Sequence, residues 1–592
     1  MDLVHAGLQK AIDTHGPQSV APLNYAGPHG ELGTCSMDQR FFNELGATQL
    51  NRGPLCGGVA GMAYKSLFGS APGMPPEQAA ESDLIVIWGN NVTVSNLHLM
   101  REINKAKAKG AKLVVIDPKR ITAAAKADLH LPIYPGTDVV LAMALAAELE
   151  RRDALDNDFI AQWTIGFDAY MQQARQYGLQ DIEHICRISP AQFQQLADLY
   201  QTANRISSSA GVGAERTRNG GASIRAAYAL QALTGNHGRL GAGVIGKSGM
   251  RAPKTQGRLH QDERIQANTR TFNILDMGKK LLDKSMQIPL SAVVIYNHNP
   301  VATHPDQSTM IKALEQEELF SVGIDLVMTD SLALCDVILP AASHFEFHDI
   351  YGAYGQNYVQ RAEPVIPCVG KSLPNTEIFR RLSAKFGFAG PDFEATDLEL
   401  IDQAMDASNP IFNGLPPSQM PTDRAIELTA DDGRSLIMCN NIMPATASGK
   451  IQLFDQALQD DYGCGVPSYQ KLTSELPLVL VTPSSDKRTN STFGHHPDSQ
   501  GPEVLQMSSA DAQARGIADG DKVIAWNDKG EVSFQLQISD SVQPGVVYSP
   551  KGTWRCTSDT NLTANALIPV DLRTDIGSGA CYNDTFIEVK SA

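Results

Sequence analysis

A cysteine surrounded by glycines is the first candidate for chemistry in this chain. Cys56 lies in the segment Leu50-Asn-Arg-Gly-Pro-Leu-Cys-Gly-Gly-Val-Ala-Gly61, at the start of a helical pattern that runs from Val59 to Leu67. Glycines allow a ligand to approach the backbone closely, and a helix N-terminus favours a thiolate over a thiol. The segment therefore predicts either a thiolate that binds a ligand or a tight turn with a buried structural cysteine.

Glycine, asparagine and aspartate follow several predicted strands, in Gly89-Asn-Asn91, Asp117-Pro-Lys-Arg120 and Pro135-Gly-Thr-Asp138. Backbone N–H groups of glycine turns bind phosphate oxygens, and an acid at a strand end suits ribose hydroxyls or a purine N–H edge. Arg120 or Arg216 could pair with a pyrophosphate. These loops predict a nucleotide-containing ligand, although each could also be a strand-ending turn or, at Asp138, a helix cap. None of these strand-end loops matches a GxGxxG or P-loop motif, so a nicotinamide or P-loop site is disfavoured there.

Other residues with metal-binding chemistry give weaker signals. His344, Glu346 and His348 alternate and would share one face of a strand, but a metal site usually needs a further, distant ligand, so structural roles are favoured there. The nine cysteines are widely spaced and form no CxxC motif. That spacing argues against a disulfide framework, a structural zinc site or a cysteine-ligated cluster.

The overall composition narrows the class of partner. The chain of 592 residues carries a formal net charge of −16, which argues against a nucleic-acid surface or an anionic membrane as partner. No run approaches the roughly 18 apolar residues of a membrane span. The first residues predict an amphipathic helix, with Leu3, Val4, Leu8 and Ile12 at helical spacing, rather than a signal peptide. We therefore expect a cytoplasmic protein, unless an export signal has been lost by truncation.

Alternating strand and helix patterns indicate an α/β fold with doubly wound parallel sheets. Predicted strands at residues 84–91, 112–118 and 129–133 alternate with helices at 97–108 and 122–127, and a second α/β set begins at residue 292. From about residue 473 short strands separated by Asp-Gly and Pro-Gly turns predict a β-barrel. The expected domains are residues 1–55 with 245–472, residues 56–244, and residues 473–592.

Read in order, these segments resemble the molybdopterin oxidoreductase family, also called the dimethyl sulfoxide reductase superfamily. Besides the four segments above, from Gly53 to Asp138, the resemblance is carried by Arg218-Asn-Gly-Gly221, Leu233-Thr-Gly-Asn236, Asn297-His-Asn-Pro300, Met328-Thr-Asp330, Asp336-Val-Ile-Leu-Pro340, Arg488-Thr-Asn-Ser491, Lys551-Gly552 and Asn583-Asp584. It covers essentially the whole chain, and its strength lies in the order and spacing of the segments. The C-terminal barrel is then expected to be of the double-psi type.

The resemblance implies two molybdopterin guanine dinucleotides that chelate one molybdenum or tungsten through dithiolenes, with Cys56 as the protein ligand of the metal. It implies that one dinucleotide is held by Gly89, Asn91, Asp117, Arg120, Gly136 and Asp138. The other would be held by Asn297, Asn299, Asp325, Asn490, Lys551 and Asn583. Further cofactor contacts are expected from Gly213, Arg488 and Asn565, and a catalytic role from His344.

Two departures from the family pattern bear on the reaction. Formate dehydrogenases of the family have a histidine directly after the cysteine or selenocysteine, whereas Gly57 follows Cys56, so formate oxidation is disfavoured. Relatives begin with cysteines that hold a [4Fe–4S] cluster, which upstream sequence or a separate electron-transfer subunit would have to supply here. The resemblance thus implies an oxidoreductase that acts on a small molecule by oxygen-atom or hydride transfer. The alternatives are a non-redox hydratase or transhydroxylase, and a truncated or non-catalytic member.

Overall fold

A computed structural model describes residues 1–246, 253–352 and 355–592 of the chain. The chain divides into two compact units, one made of residues 1–52 with 250–428 and the other of residues 53–249 with 429–592. The three-domain division expected from the sequence, whose segment 245–472 crosses residues outside the described ranges, stays a prediction.

The strands of the described residues are β1 (Val20–Asn24), β2 (Gln49–Asn51), β3 (Leu84–Trp88), β4 (Lys112–Ile116), β5 (Leu129–Leu131), β6 (Thr164–Ile165), β7 (Ile206–Ala210), β8 (Gly243–Val244), β9 (Thr271–Asn273), β10 (Ala292–Tyr296), β11 (Phe320–Asp325), β12 (Val337–Pro340), β13 (Asp349–Gly352), β14 (Tyr358–Ala362), β15 (Ile426–Glu427), β16 (Ile451–Gln452), β17 (Leu478–Val481), β18 (Val504–Met507), β19 (Lys522–Asn527), β20 (Gly530–Ile538), β21 (Val546–Tyr548) and β22 (Thr585–Ser591).

The helices of the same residues are α1 (Asp2–His15), α2 (Glu31–Thr34), α3 (Met37–Leu45), α4 (Gly58–Phe68), α5 (Leu97–Ala108), α6 (Thr122–Ala125), α7 (Asp138–Arg151), α8 (Asn157–Trp163), α9 (Phe167–Ala174), α10 (Leu179–His184), α11 (Pro190–Thr202), α12 (Val212–Glu215), α13 (Gly220–Leu233), α14 (Gln256–His260), α15 (Met277–Leu282), α16 (Pro300–Thr303), α17 (Gln307–Leu314), α18 (Asn375–Lys385), α19 (Pro391–Glu394), α20 (Asp397–Ala404), α21 (Gln456–Tyr462) and α22 (Ser509–Ala514). Among them, none has both the length and the apolar character that crossing a membrane requires.

The first unit is built on a parallel sheet of strand order β1-β10-β11-β12. Strands β1 and β10 are buried along their whole length, as expected for a parallel sheet whose two faces are both covered. The N-terminal helix α1 forms as predicted, and it buries Val4 and Leu8 while Leu3 stays 71% exposed.

The second unit contains a parallel sheet and a barrel. The sheet has the order β5-β4-β3-β7-β8, with Ile87 of β3 opposite Val115 of β4 and Ser209 of β7. The barrel closes through β17-β21-β18-β20-β19-β22, with both parallel and antiparallel pairs. The predicted α/β class with a C-terminal barrel is confirmed. The barrel also uses β18 and β22, which the sequence pattern did not reveal.

A strand on which His344, Glu346 and His348 would share one face does not form. The chain turns at these residues, and β13 begins only at Asp349. The Glu346 N–H donates to the Ser343 carbonyl (2.9 Å), and the buried Glu346 carboxylate accepts the N–H groups of Ser343 and of Val369 (2.6 Å). These bonds close a turn over residues 343–346 in place of an extended strand.

Candidate functional site

The carboxyl ends of the parallel strands in the second unit bring six of the predicted cofactor residues to one edge of the sheet. These residues follow β3, β4, β5 and β7, and they are Gly89, Asn91, Asp117, Gly136, Asp138 and Gly213. Arg120 follows Asp117 with its side chain exposed, and its backbone N–H donates to the Ser541 carbonyl (2.9 Å). The roles assigned to these residues stay predictions, but their common location is a feature of the fold.

Two of these strand ends touch each other directly. The Gly213 N–H donates to the carbonyl of Gly89 (3.2 Å), and the Asn583 amide donates to the carbonyl of Gly213 (3.1 Å). A Cβ added at Gly213 would lie 2.6 Å from the Gly89 carbonyl oxygen, which is backbone and cannot move aside cheaply. The glycine is therefore required first of all by the close approach of two loops.

We expect Gly213→Ala to lower the free energy of unfolding by about 1–3 kcal/mol, as overpacking against fixed backbone does. The measurement is the urea midpoint of the cofactor-free protein. Gly530→Ala serves as the control, because a Cβ there meets nothing within 4 Å. Equal urea midpoints for the two variants would show that the loops after β3 and β7 can move apart without lowering the free energy of unfolding.

Asp117 and Asp138 form a pair of carboxyl groups at this edge. Burial, together with a smaller effect of the charge of Asp117, raises the pKa of Asp138 to about 7. Burial likewise raises the pKa of Asp117 to about 7, against the N–H of Lys119, which donates to it (2.9 Å). Asp138 is 5% exposed and Asp117 is half-buried. Among the residues that the structure describes, neither carboxylate is bonded to an arginine or lysine side chain, so both suit a ligand that presents N–H or O–H donors.

The raised pKa of Asp138 makes the cofactor-free protein pH-sensitive. Between the ordinary value of 3.8 and about 7 the folded state keeps a proton that the unfolded state releases, so the free energy of unfolding falls as pH rises through that window. We expect Asp138→Asn to remove this loss and to raise the melting temperature of the cofactor-free protein at pH 8 but not at pH 4. Asp158→Asn, at an exposed acid in the first turn of α8, is the control and should not change the pH profile.

The barrel completes the surroundings of Asp117. Tyr548 of β21 is buried, and its pKa is raised by burial and then by the charge of Asp117. Its hydroxyl has no hydrogen-bond partner within the described part of the chain. The Lys119 ammonium lies 5.3 Å from the centre of the Tyr548 ring. A buried hydroxyl that lacks a partner among the described residues and lies near the carboxyl group of Asp117 is a donor that a bound ligand could use.

Cys56 lies between a short 3₁₀ turn at Gly53–Leu55 and the first residue of α4. Its thiol is half-buried. The first turn of α4 is held by the buried carboxylate of Glu215, which accepts the N–H of Ala60 (2.7 Å). The segment that leads to β22 lies against the same turn, since the Ala580 N–H donates to the Pro54 carbonyl (3.1 Å).

Tyr582 and Arg216 join Cys56 at this place. The pKa of Tyr582 is raised by burial, lowered by Arg216 and raised by Cys56, so Tyr582 lies within electrostatic reach of both groups. The Arg216 guanidinium stands 4.8 Å above the centre of the Tyr582 ring. The neighbouring Asn583 donates its N–H to the Arg216 carbonyl (2.9 Å). A fixed positive charge near the thiol favours an anionic ligand there.

A buried ion pair fixes the loop that carries Arg216. The carboxylate of Asp584 accepts two hydrogen bonds from the Arg218 guanidinium (2.8 and 3.0 Å) and a third from the Arg218 N–H (3.0 Å). The Asp584 side chain is 1% exposed and that of Arg218 is 17% exposed. This pair joins the start of β22 to the loop before α13 and so holds Asn583 against Gly213.

Two of the remaining cofactor residues predicted in the barrel, Arg488 and Asn565, lie near one buried carboxyl group, Glu503. Burial raises the pKa of Glu503 to about 7, and the carboxylate accepts the N–H of Ala564 (3.2 Å), next to Asn565. Arg488 lies within electrostatic reach of Glu503 and donates to the Ser499 carbonyl (2.9 Å).

Lys551 and Asn490 are also brought together. The backbone of Gly552, next to Lys551, approaches Asn490 so closely that a Cβ on Gly552 would lie 1.8 Å from the Asn490 carbonyl oxygen. Asn490 itself is exposed and has a left-handed backbone, with φ of 51°. The barrel therefore presents Arg488, Asn490, Lys551 and Asn565 from loops that are in contact or close to one another.

In the first unit, the predicted residues follow β10 and β11. The Asn297 side chain is bonded within the protein. It donates to the Gly33 carbonyl (2.8 Å) and accepts from the Asn375 amide (2.9 Å). Asn299 accepts from the Ser331 hydroxyl (2.6 Å), while its buried amide nitrogen has no partner within the described residues. Burial raises the pKa of Asp325 to about 6. Asn299 and Asp325 thus keep polar capacity for a ligand, whereas that of Asn297 is largely used within the protein.

His344 is exposed on the turn before β13 and stacks on Phe345, with ring centres 4.1 Å apart. Its catalytic role stays a prediction. Within the described ranges, no three His, Cys, Asp or Glu side chains converge as a metal-binding group. A cofactor that brings its own dithiolene sulfurs needs only one further ligand, and the single thiol of Cys56 is compatible with that requirement.

Sequence reasoning missed Tyr582, Tyr548, Glu503 and Thr217, which line or adjoin the positions described above. Thr217 is 1% exposed, and its hydroxyl has no partner in the described part of the chain. A Cβ on Gly136 would lie 3.3 Å from the Thr217 side chain. No local motif marks these residues, because each becomes relevant only through contacts made across the fold.

The residues present fit a guanine dinucleotide. Guanine offers N–H donors, which the carboxyl groups of Asp117 and Asp138 can accept. Several buried polar groups in the same unit lack protein partners within its described residues, namely the hydroxyls of Tyr548 and Thr217, one carboxylate oxygen of Glu503 and one nitrogen of Arg488. Buried polar groups normally find partners, so these positions are suited to polar ligand atoms.

Comparisons with known proteins agree with this fit. A family model described as "Molybdopterin oxidoreductase" matches residues 1–385, and one described as "Molydopterin dinucleotide binding domain" matches residues 478–586. The Probable oxidoreductase YoaE of Bacillus subtilis is 30% identical, with 100% of this chain and 86% of that protein covered. Formate dehydrogenase H of Escherichia coli is 25% identical, with 86% of this chain and 73% of that protein covered.

A solved structure, that of acetylene hydratase from Pelobacter acetylenicus, has a TM-score of 0.79 and 19% sequence identity, and the match covers 100% of this chain and 88% of that one. At that identity the likeness shows a common fold. The family models confirm the predicted cofactor, a molybdenum or tungsten bis-molybdopterin guanine dinucleotide, and the prediction that the protein is an enzyme. The chain belongs to the molybdopterin oxidoreductase family.

Proposed function

We propose that this enzyme oxidises or reduces a small molecule by oxygen-atom or hydride transfer, with Cys56 as the protein ligand of the metal. The observation that carries the proposal is the position of Cys56. Its half-buried thiol lies beside Tyr582 and Arg216, in the unit whose strand ends carry the buried acids and glycines of the predicted dinucleotide site. A soft thiolate suits molybdenum or tungsten.

The residues of the chain would hold the cofactor and limit access to it. Gly89, Asn91, Asp117, Arg120, Gly136, Asp138 and Gly213 would hold one dinucleotide, and Asn297, Asn299, Asp325, Arg488, Asn490, Lys551, Asn565 and Asn583 the other. When bound, the cofactor supplies a metal that can change oxidation state. Arg216 contributes a positive charge over the ring of Tyr582, which would favour anionic or strongly polar groups at that position.

The test of this function combines metal analysis with assays for turnover. Purified protein should contain molybdenum or tungsten together with a guanine dinucleotide pterin, and turnover should require an artificial electron donor or acceptor. Protein without either metal or pterin would contradict the proposal. Turnover without any electron acceptor or donor would instead support the non-redox alternative, a hydratase or transhydroxylase.

Three further expectations belong to the same proposal and stay predictions. They are a catalytic role for His344, a cytoplasmic location, and an iron–sulfur electron-transfer subunit as partner. Replacing the exposed His344 by glutamine would leave the fold intact, so a fall in turnover with unchanged metal content would support its role. Unchanged kinetics would remove it from the mechanism.

A further inference from the structure

Two buried histidines face each other at the carboxyl edge of the sheet in the first unit. The Nε2 atoms of His298 and His304 are 2.8 Å apart, and their ring centres are 4.9 Å apart. His298 is 7% exposed and His304 is 1% exposed. His298 lies two residues after the end of β10, between Asn297 and Asn299, which are predicted to hold the cofactor. The function proposed above gives this pair no role.

The contact fixes how the pair carries its protons. Two ring nitrogens within hydrogen-bond distance share one proton, so one ring donates from Nε2 and the other accepts at Nε2. Burial lowers the pKa of both rings, that of His304 to about 3, so both are neutral near pH 7. In a neutral pair the donating ring has a bare Nδ1, and the accepting ring carries its proton on Nδ1.

The surroundings of His304 decide which ring donates. Its Nδ1 is enclosed and has no hydrogen-bond partner within the described residues. A proton on that nitrogen would be a buried N–H without an acceptor, which is rarer in proteins than a buried acceptor without a donor. The proton of His304 therefore belongs on Nε2, where His298 accepts it, and His298 carries its own proton on Nδ1.

The Nδ1 of His298 is placed differently. The His298 ring makes no hydrogen bond besides that to His304 in the described part of the chain, yet its Nδ1 is not among the enclosed atoms without a partner. Tyr25, which directly follows β1, packs against the ring with centres 5.9 Å apart. Strands β1 and β10 are neighbours, so the N–H is accessible where two parallel strands end, which is where such sheets bind ligands.

A second N–H donor beside the pair is also unused. The amide nitrogen of Asn299, which is 4% exposed, has no partner within the described ranges. The amide oxygen accepts from the Ser331 hydroxyl (2.6 Å), and that hydroxyl accepts the Val301 N–H (3.0 Å). These two bonds fix which end of the amide faces Ser331. Unused N–H donors on two consecutive residues complement a ligand that presents hydrogen-bond acceptors.

We propose that His298 offers a neutral Nδ1–H donor to an acceptor oxygen or nitrogen of the group bound at this edge, and that His304 is the positioning residue that holds His298 in this tautomer. The acceptor belongs either to the cofactor or to the substrate. The contact with a bound group rests on the proposed function, whereas the tautomer of the pair does not.

The first test locates the protons in the full chain as purified. Deuterated protein with ¹⁵N-labelled histidine gives the protonated nitrogen of each ring in long-range ¹H–¹⁵N correlation spectra at pH 8. We expect the proton on Nδ1 in His298 and on Nε2 in His304. Two other rings that bond to backbone carbonyls mark the two forms, His184 through Nδ1 (2.8 Å) and His130 through Nε2 (2.9 Å). The reverse assignment, or a charged ring in the pair, would overturn the proposal.

The second test addresses the positioning role of His304. His304→Gln keeps an N–H donor near the place of Nε2, so His298 should keep its proton on Nδ1. His304→Leu removes the donor, and the proton of His298 should then divide between Nδ1 and Nε2. Urea midpoints show whether each variant is folded. An unchanged His298 tautomer in folded His304→Leu, or a changed one in folded His304→Gln, would remove His304 from this role.

The third test compares two replacements of His298 in the loaded enzyme. His298→Asn keeps an N–H group on the atom bonded to Cγ, as Nδ1 is, whereas His298→Gln moves the N–H further from the backbone. If the cofactor is the acceptor, the pterin should leave the His298→Gln enzyme about threefold to tenfold faster than the His298→Asn enzyme, the effect of one neutral hydrogen bond. If the substrate is the acceptor, KM should differ by the same factor with equal pterin release.

Equal pterin release and equal KM in His298→Asn and His298→Gln would overturn the donor role. An unmodified chain that contains no pterin would contradict the proposed function instead, and the spectra of the pair would still decide the tautomer. The two failures are therefore distinguishable.

Discussion

Replacing Cys56 with alanine should lower turnover by at least about a hundredfold. Changing a residue that only hydrogen-bonds to a metal ligand lowers activity by up to about a hundredfold, and loss of the ligand itself should have at least that effect. The dinucleotide parts of the cofactor are held by residues other than Cys56, so the variant should still contain the pterin. X-ray absorption of the metal should show one sulfur neighbour fewer than in the unmodified enzyme. The two readouts separate loss of the ligand from loss of the whole cofactor.

The matched control is Cys464→Ser. Cys464 is also half-buried in the second unit, where its thiol donates to a local backbone carbonyl, that of Tyr462 (3.4 Å). Its replacement should leave turnover and the metal spectrum unchanged. If Cys56→Ala retained full turnover and the same sulfur count, the assignment of Cys56 as the metal ligand would be wrong, while the family membership would stand.

Replacing Asp584 with alanine should lower the free energy of unfolding by about 3–5 kcal/mol, because it leaves the Arg218 guanidinium without its partner in a largely buried place. The same change frees the loop that positions Asn583 against Gly213. We therefore expect a lower urea midpoint together with faster loss of the pterin from the purified enzyme. Urea titration and pterin fluorescence of the released cofactor measure the two effects.

The control for this change is Glu150→Ala. Glu150 makes the same two-bond contact with Arg175 (2.6 and 2.8 Å), but the arginine side chain is 54% exposed there. An exposed ion pair contributes about 0–1 kcal/mol, so the urea midpoint should barely move. Equal losses in Asp584→Ala and Glu150→Ala would mean that burial does not set the strength of the Arg218 pair.

Some strands and helices were predicted correctly from the local pattern of apolar and polar residues. The strand predicted over residues 84–91 forms as β3 over its apolar part, Leu84–Trp88, and ends before Gly89. The helix predicted over residues 97–108 forms with those bounds, and an Asn96 side chain caps it. Local propensity and tertiary packing agree at these places, so periodicity was a sufficient guide.

Other elements could not be read in this way. The alternation of His344, Glu346 and His348 is typical of a strand, yet Glu346 binds backbone N–H groups and the chain turns instead. Strands β18 and β22 close the barrel, but each is defined by partners that lie far away along the chain, such as β20 and β19. An alternating residue pattern indicates only that a strand with one polar face can form. The strands available for pairing decide whether that strand does form.

The sequence by itself predicted most strands of the two parallel sheets, several of the helices between them, the polar residues at the strand ends and, through the resemblance, the family and its cofactor. Only the tertiary structure decided that Asp117 and Asp138 share a buried environment, that Tyr582 and Arg216 join Cys56, and that Asp584 pairs with Arg218 366 positions away. The physical reason is that strand and loop propensities are local, whereas burial, pKa and ion pairing depend on which distant segments pack together. Cys56 was visible as a candidate from its glycine turn, but its charged and aromatic neighbours were not.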